Sequence, residues 1–162
     1  QAVESGNFTT YVGGDGMVGD DLLTGIDTAS VEGLIATRAG APTGESVDLY
    51  QQLATEAGIE ANATYAPQAY DAAFLLALAV EKNGSGSREG LSQALRDVAS
   101  APGEIIRPGE WAKAKELIAA GTDINYEGAG GALDFDEAGD VDGIIVELAV
   151  EGGAFVEKGA IE

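Results

Sequence analysis

The chain has 162 residues, enough for one medium domain or a piece of something larger, with 45% hydrophobic but only 6% aromatic residues. Eight basic residues face 28 acidic ones, a net charge of -20, which disfavours nucleic acid and anionic membrane surfaces as partners. Cysteine and histidine are absent, which removes disulfides, Ser-His and Cys-His dyads and the usual zinc sites, and leaves carboxylate chemistry, hard-cation binding or no covalent chemistry.

Gln1–Ser5 has neither a basic region nor an apolar run, so it does not read as a signal peptide. Residues 1–8 read as the tail of a helix running into Ser5-Gly6-Asn7. Phe8–Val12 reads as a short strand closed by Gly13-Gly14, and Asp20 or Asp21 can cap a short helical turn through Leu22, Leu23 and Ile26. Val31–Thr37 reads as a second strand. The stretch Ala39-Gly40-Ala41-Pro42-Thr43-Gly44 is the best linker candidate.

Beyond it, Val47, Tyr50, Leu53, Ala54 and Ala57 recur at helical spacing, and Gly58 ends the run. Pro67 suits the first turn of a helix over Gln68–Lys82, which is apolar on nearly all sides and should be the most buried element. Ser87 can cap a third helix with the stripe Leu91, Ala94, Leu95, Val98 and Ala99. Pro108 begins a fourth, with Trp111, Ala114, Leu117 and Ile118 on one face. The remainder reads as strands at Ile124–Phe135, Gly143–Val150 and Ala154–Val156, with turns at Asp136–Asp140 and Glu151–Gly153. The most apolar stretch, Ala72–Val80, is far below the ~20 residues that span a bilayer. The class is α/β, with helices bunched in the middle and strands at both ends, as for a chain that leaves a sheet and later returns to it.

Three constellations could carry function. In Gly13-Gly14-Asp15-Gly16-Met17, Asp15 would stand at the carboxyl end of a strand, where open α/β sheets hold ligands. A carboxylate there suits a ligand ammonium group; the bland alternative is an Asp-Gly turn. In Tyr65–Asp71, a tyrosine in the first turns of an apolar helix can turn its hydroxyl to a cleft, or can simply be a core residue with a satisfied hydroxyl. Asp134–Asp140 superficially resembles a calcium loop, but its twelfth position is Ile145 and its flanks are strand-like, so a hairpin turn without metal is expected.

Together these motifs resemble one family. Val3-Glu4-Ser5-Gly6, Tyr11-Val12-Gly13-Gly14-Asp15-Gly16, Val31-Glu32-Gly33, Tyr65-Ala66-Pro67-Gln68-Ala69-Tyr70-Asp71-Ala72, Ile124–Gly131 and Asp134–Asp140 are similar, in order, to the second half of bacterial solute-binding proteins for branched-chain amino acids. The resemblance implies the type I periplasmic binding protein fold: two Rossmann-like lobes joined by three crossovers, with the N-terminal half missing here. It assigns residues 1–39 and 146–162 to the C-terminal lobe, 40–44 to a crossover and 45–145 to the N-terminal lobe. It implies an amino-acid ligand gripped at its ammonium by Asp15, with Gly16 and Met17 flanking and Tyr70 lining the cleft. No cofactor, metal or catalysis is implied. The expected partners are a membrane permease of an ABC importer and either the missing N-terminal part or a second copy, and the expected location is periplasmic or secreted. Residues 102–123, with Trp111, look like an added helical element. A sensing module of the same fold, an acidic carboxylate hydrolase and a structural or interaction domain remain the rivals.

Overall fold

The computed structural model describes residues 1–161, the side chain of Asp20 excepted. It divides into two compact units, one formed by residues 1–40 with 144–162, the other by the continuous stretch 41–143.

The first unit is built on a four-stranded sheet in the order β1 (Val12–Gly13), β2 (Ile35–Ala39), β6 (Ile145–Glu151), β7 (Ala154–Ala160). β1 and β2 are parallel, β2 and β6 antiparallel, and β6 turns through Gly152-Gly153 into β7. Both turn glycines have positive φ, 59° and 83°, which is the conformation that favours glycine. The β1-to-β2 connection carries a 3-10 turn at Asp15–Met17, the four-residue α1 (Asp20–Leu23) and a second 3-10 turn at Thr28–Val31. Its apolar residues Val18, Leu22, Leu23 and Ile26 pack with Val31, Leu34, Ala36 and Val150 against one face of the sheet.

Both expected N-terminal strands are shorter or displaced. Of Phe8–Val12 only Val12 lies in the strand, which is in register with β2 at Val12 and Gly13; Tyr11 before it accepts from the Ile35 amide. Val31 to Gly33 is drawn into a turn closed by the Leu34 amide on the Val31 carbonyl, so the second strand starts at Ile35. Residues 1–6 form a turn that ends at Gly6, φ 64°. Gly19 occupies the N-cap of α1, in place of the aspartates.

The second unit packs helices over a three-stranded sheet ordered β3 (Glu104–Ile106), β4 (Ile124–Gly128), β5 (Gly131–Ala132). α2 (Glu45–Glu56) starts on Gly44 with Glu45 and Asp48 in its first turn, where carboxylates meet the positive end of the helix dipole. α3 (Ala66–Asn83) carries Pro at its start and Gly84 in the left-handed conformation at its end. α4 (Leu91–Ala99) and α5 (Trp111–Ala119) follow. Leu75, Leu78 and Ala79 of α3, Ala94, Val98 and Ala99 of α4, Ala114 of α5 and Ile106, Ile124 and Tyr126 of the strands make the core.

Three expectations change here. Ser87 does not cap α4; Gly90, φ 77°, does, and the Ser87 amide donates to Ser85 Oγ. Pro108 precedes α5 without opening it, since residues 107–110 form a turn in which the Arg107 amide donates to Glu110 Oε2. The long strand expected at Ile124–Phe135 breaks into β4 and β5 around Ala129-Gly130. α3 is apolar on nearly all sides, yet Leu76 is 48% exposed, so the side that carries Leu76 is not covered within this unit.

Candidate functional site

The centre of the second unit is a buried carboxylate. Asp71, on the second turn of α3, is only 2% exposed. Its Oδ1 accepts from the Tyr126 hydroxyl and from the Ala129 amide, both at 2.8 Å, and its Oδ2 accepts from the Gly130 amide at 2.6 Å. The β4–β5 turn is thereby tied to α3. Glycine is required next to it: a Cβ on Gly128 would collide with the Asp71 carboxyl group. Burial raises the Asp71 carboxyl above its ordinary pKa, against the opposing pull of the three hydrogen bonds. Burial, and after it the Asp71 charge, pushes the Tyr126 hydroxyl up as well.

Immediately before Asp71, Tyr70 turns the other way. Its hydroxyl accepts from the Gly109 amide at 2.9 Å, and its ring lies 5.3 Å from that of Tyr50 and 5.8 Å from that of Phe74. Burial raises the Tyr70 hydroxyl pKa, and the Gly109 bond partly offsets this. Tyr50, Leu53, Ala54, Ala57, Ile59, Ala66, Ala69, Tyr70 and Gly109 line an open apolar recess of about 590 Å³, a volume in the range of small-molecule sites. Tyr65, at the entrance to α3, has φ 64° and is the one non-glycine residue with positive φ among the described residues. A bulky side chain held there costs about 1–3 kcal/mol and is seen most often where a site demands it.

A second pocket of about 240 Å³, of mixed polar and apolar lining, lies where the first turn of α2 meets the β4–β5 hairpin. Arg107 pairs there with Glu45 at 3.1 Å, while the Arg107 Nε is buried without a hydrogen-bond partner.

In the first unit, Asp15 opens a 3-10 turn directly beyond β1, at the carboxyl end of that strand. Asp15 Oδ1 accepts from the Gly16 amide at 2.7 Å, and Met17 folds back so that its sulfur covers Gly13. Met17 itself is 37% exposed. The structure thus brings Asp15, Gly16 and Met17 together in one turn. Tyr70 belongs to the other unit.

The Asp134–Asp140 turn uses its carboxylates internally. Asp136 Oδ1 accepts from the Gly139 amide at 2.8 Å and the Asp140 amide at 2.9 Å, and these bonds, helped by Arg96, hold Asp136 below the ordinary carboxylate range. No group of three or more acidic side chains able to hold a metal occurs among the described residues.

Sequence reasoning included Tyr65 and Asp71 in a candidate stretch and Tyr50 in a helical stripe, but gave none of the three a role of its own. Asp71 had a usable signal: a lone carboxylate inside an apolar helix must find donors, and Gly128–Gly131 is the glycine-rich stretch able to bring amides that close.

Residues 6–148 match the family described as the receptor family ligand binding region. The chain belongs to that family. Over 90 residues it is 34% identical to the chemotactic signal transduction system substrate-binding protein BasB of Halobacterium salinarum, which is 55% of this chain and 22% of that protein. The crystal structure of leucine binding protein LivK from Thermotoga maritima superimposes with a TM-score of 0.63 at 24% identity, covering 99% of this chain and 39% of LivK. The fold is therefore that of the type I periplasmic binding proteins, present here in part. The matched region is less than half of either relative.

Proposed function

We propose that this receptor-family chain is the solute-capturing part of a binding protein for an amino acid or similar small polar solute, working by reversible binding without covalent chemistry. Asp15 carries the reading. It stands at the carboxyl end of a strand that runs parallel to its neighbour, where an open α/β sheet presents groups to a ligand, and its carboxylate suits an ammonium. Gly16 and Met17 complete that turn. Tyr70 is proposed as a cleft-lining residue, with the apolar recess beside it suited to an aliphatic side chain; branched-chain amino acids are the default ligands.

The division of the chain supports assigning residues 1–39 and 146–162 to a C-terminal lobe, 45–145 to an N-terminal lobe and 40–44 to a crossover. Delivery to the membrane permease of an ABC importer, from a periplasmic or secreted location, is the default role. The relative in a chemotactic signal transduction system favours a second reading, in which the same capture feeds a receptor. A carboxylate hydrolase is not favoured. Asp71 is the buried carboxylate among the described residues, and Tyr126, Ala129 and Gly130 already occupy its oxygens.

Calorimetric titration of the folded chain with leucine, isoleucine, valine and a neutral sugar tests the proposal. Saturable heat with the amino acids alone is expected. Asp15→Asn should weaken that binding by about 1.5–3 kcal/mol, the range for hydrogen bonds to charged groups, and leave the melting temperature unchanged. Equal affinity in the variant returns Asp15 to the role of a turn residue.

A further inference from the structure

Four asparagines occur in the chain, at positions 7, 62, 83 and 125. Three of them begin a triplet whose second residue is not proline and whose third carries a hydroxyl: Asn7-Phe8-Thr9, Asn62-Ala63-Thr64 and Asn83-Gly84-Ser85. Serine and threonine make up 16 of the 162 residues, so chance would place fewer than one of the four in such a triplet. The triplet is the acceptor pattern for an asparagine-linked glycan.

The structure separates the three. Asn7, Phe8 and Thr9 are all exposed, between the turn that ends at Gly6 and β1, outside any helix or strand. Asn62 and Ala63 are exposed in the connection from α2 to α3. Segments of this kind can be drawn into the active site of a modifying enzyme, as a helical one cannot. Both also lie beside uncovered apolar side chains: Phe8 is 61%, Ile59 59% and Tyr65 46% exposed. A bulky hydrophilic group at either place would shield that surface. Asn83 differs. It is the last residue of α3, and its Nδ2 gives both hydrogens away, to the Ser85 carbonyl at 3.1 Å and the Glu89 carbonyl at 3.0 Å. A glycan would replace one of those hydrogens. Its Oδ1 is packed so closely on Gly90 that a Cβ there would lie 2.6 Å from it.

We propose that Asn7 and Asn62 carry asparagine-linked oligosaccharide, whereas Asn83 serves the fold. The new bond joins asparagine Nδ2 to the anomeric carbon of a lipid-linked oligosaccharyl diphosphate. The bond from that carbon to the diphosphate oxygen breaks, the lipid diphosphate leaves, and the amide proton passes to a base of the transferring enzyme. The proposal rests on the periplasmic or secreted location given above, because acceptor asparagines belong to secreted chains. It does not depend on which solute the protein binds.

The test is peptide mass spectrometry on the protein isolated from its own cells, with the cell fraction recorded. Peptides containing Asn7 and Asn62 should carry the same oligosaccharide mass, and the Asn83 peptide none. Thr9→Ala, expressed in the same cells, should abolish the addition at Asn7 and leave that at Asn62. Thr64→Ala should do the reverse, with Asn62→Gln in its place if circular dichroism finds Thr64→Ala unfolded. In the chain made without a glycosylation system, Asn83→Gln should lower the melting temperature and Asn7→Gln should not. A bare Asn7 or Asn62 peptide, a glycan on Asn83, or an addition that survives loss of the threonine would each overturn the proposal. An unmodified chain recovered outside the cytoplasmic membrane does so while leaving the location intact; one recovered in the cytoplasm removes both.

Discussion

Asp71 shows how one charge can organise a unit. Removing one acceptor without removing its donors leaves buried amides unpaired, at about 1–3 kcal/mol. Asp71→Asn puts an amide nitrogen against either the Gly130 or the Ala129 and Tyr126 donors, so it should destabilise the chain by that amount in chemical denaturation. The pH dependence follows from the direction of the shift. A carboxyl raised above its ordinary value of 3.8 stabilises the fold fully below that value, and the contribution is lost as pH rises through the raised pKa. The Asp71→Asn deficit should therefore grow on acidification from neutral pH toward 3.8. Asp136 behaves oppositely: its lowered carboxyl contributes above 3.8 and ceases to as pH falls through its lowered pKa. Asp136→Asn keeps an acceptor for the Gly139 and Asp140 amides while abolishing that titration, so the gap in melting temperature between it and the parent should close below pH 3.8.

Among the elements, α2 to α5 were legible from apolar spacing, because helical periodicity survives any tertiary arrangement. β3 was not. Glu104–Ile106 is too short to alternate and lies in a Pro- and Gly-rich stretch; only its pairing with Ile124–Tyr126 makes it a strand. The start of α4 was missed for a related reason. Ser87 has the better capping side chain, but Gly90 can adopt φ 77° and bring the chain close to Asn83, whose Oδ1 would lie 2.6 Å from a Cβ at that position. Gly90→Ala should consequently cost about 1–2 kcal/mol for the left-handed backbone alone, and Ser87→Ala should stay within about 0.5 kcal/mol. Comparable losses in the two variants would restore Ser87 as the cap. The Asp15–Met17 turn was legible from its glycines, whereas the strain at Tyr65 was not, since no local rule favours tyrosine at φ 64°.

For the whole molecule, charge and connectivity matter most. With 28 acidic side chains against eight basic ones, self-repulsion opposes compaction, and screening should relieve it. The melting temperature should rise steadily between low and molar sodium chloride, by more than in a chain of balanced charge; a flat response would mean that the surface ion pairs already compensate. Overall class and the bunching of helices between strands were readable at this scale. Which residues close each unit was not, because the partner of β2 is β6, on the far side of the entire second unit.

That pairing has a kinetic meaning. Residues 41–143 can condense through contacts closer in sequence than the β2–β6 pairing, whereas Ile35 cannot meet Ala149 until the whole intervening chain has been made and its ends brought together, which carries a loop-closure cost. Until then β2 lacks its β6 partner, while residues 41–143 are already able to fold. In pulse-labelled hydrogen exchange during refolding, amides of α3, α4 and β4 should become protected before those of β2 and β6, so that the sheet joined across the greatest sequence separation is the last to be completed.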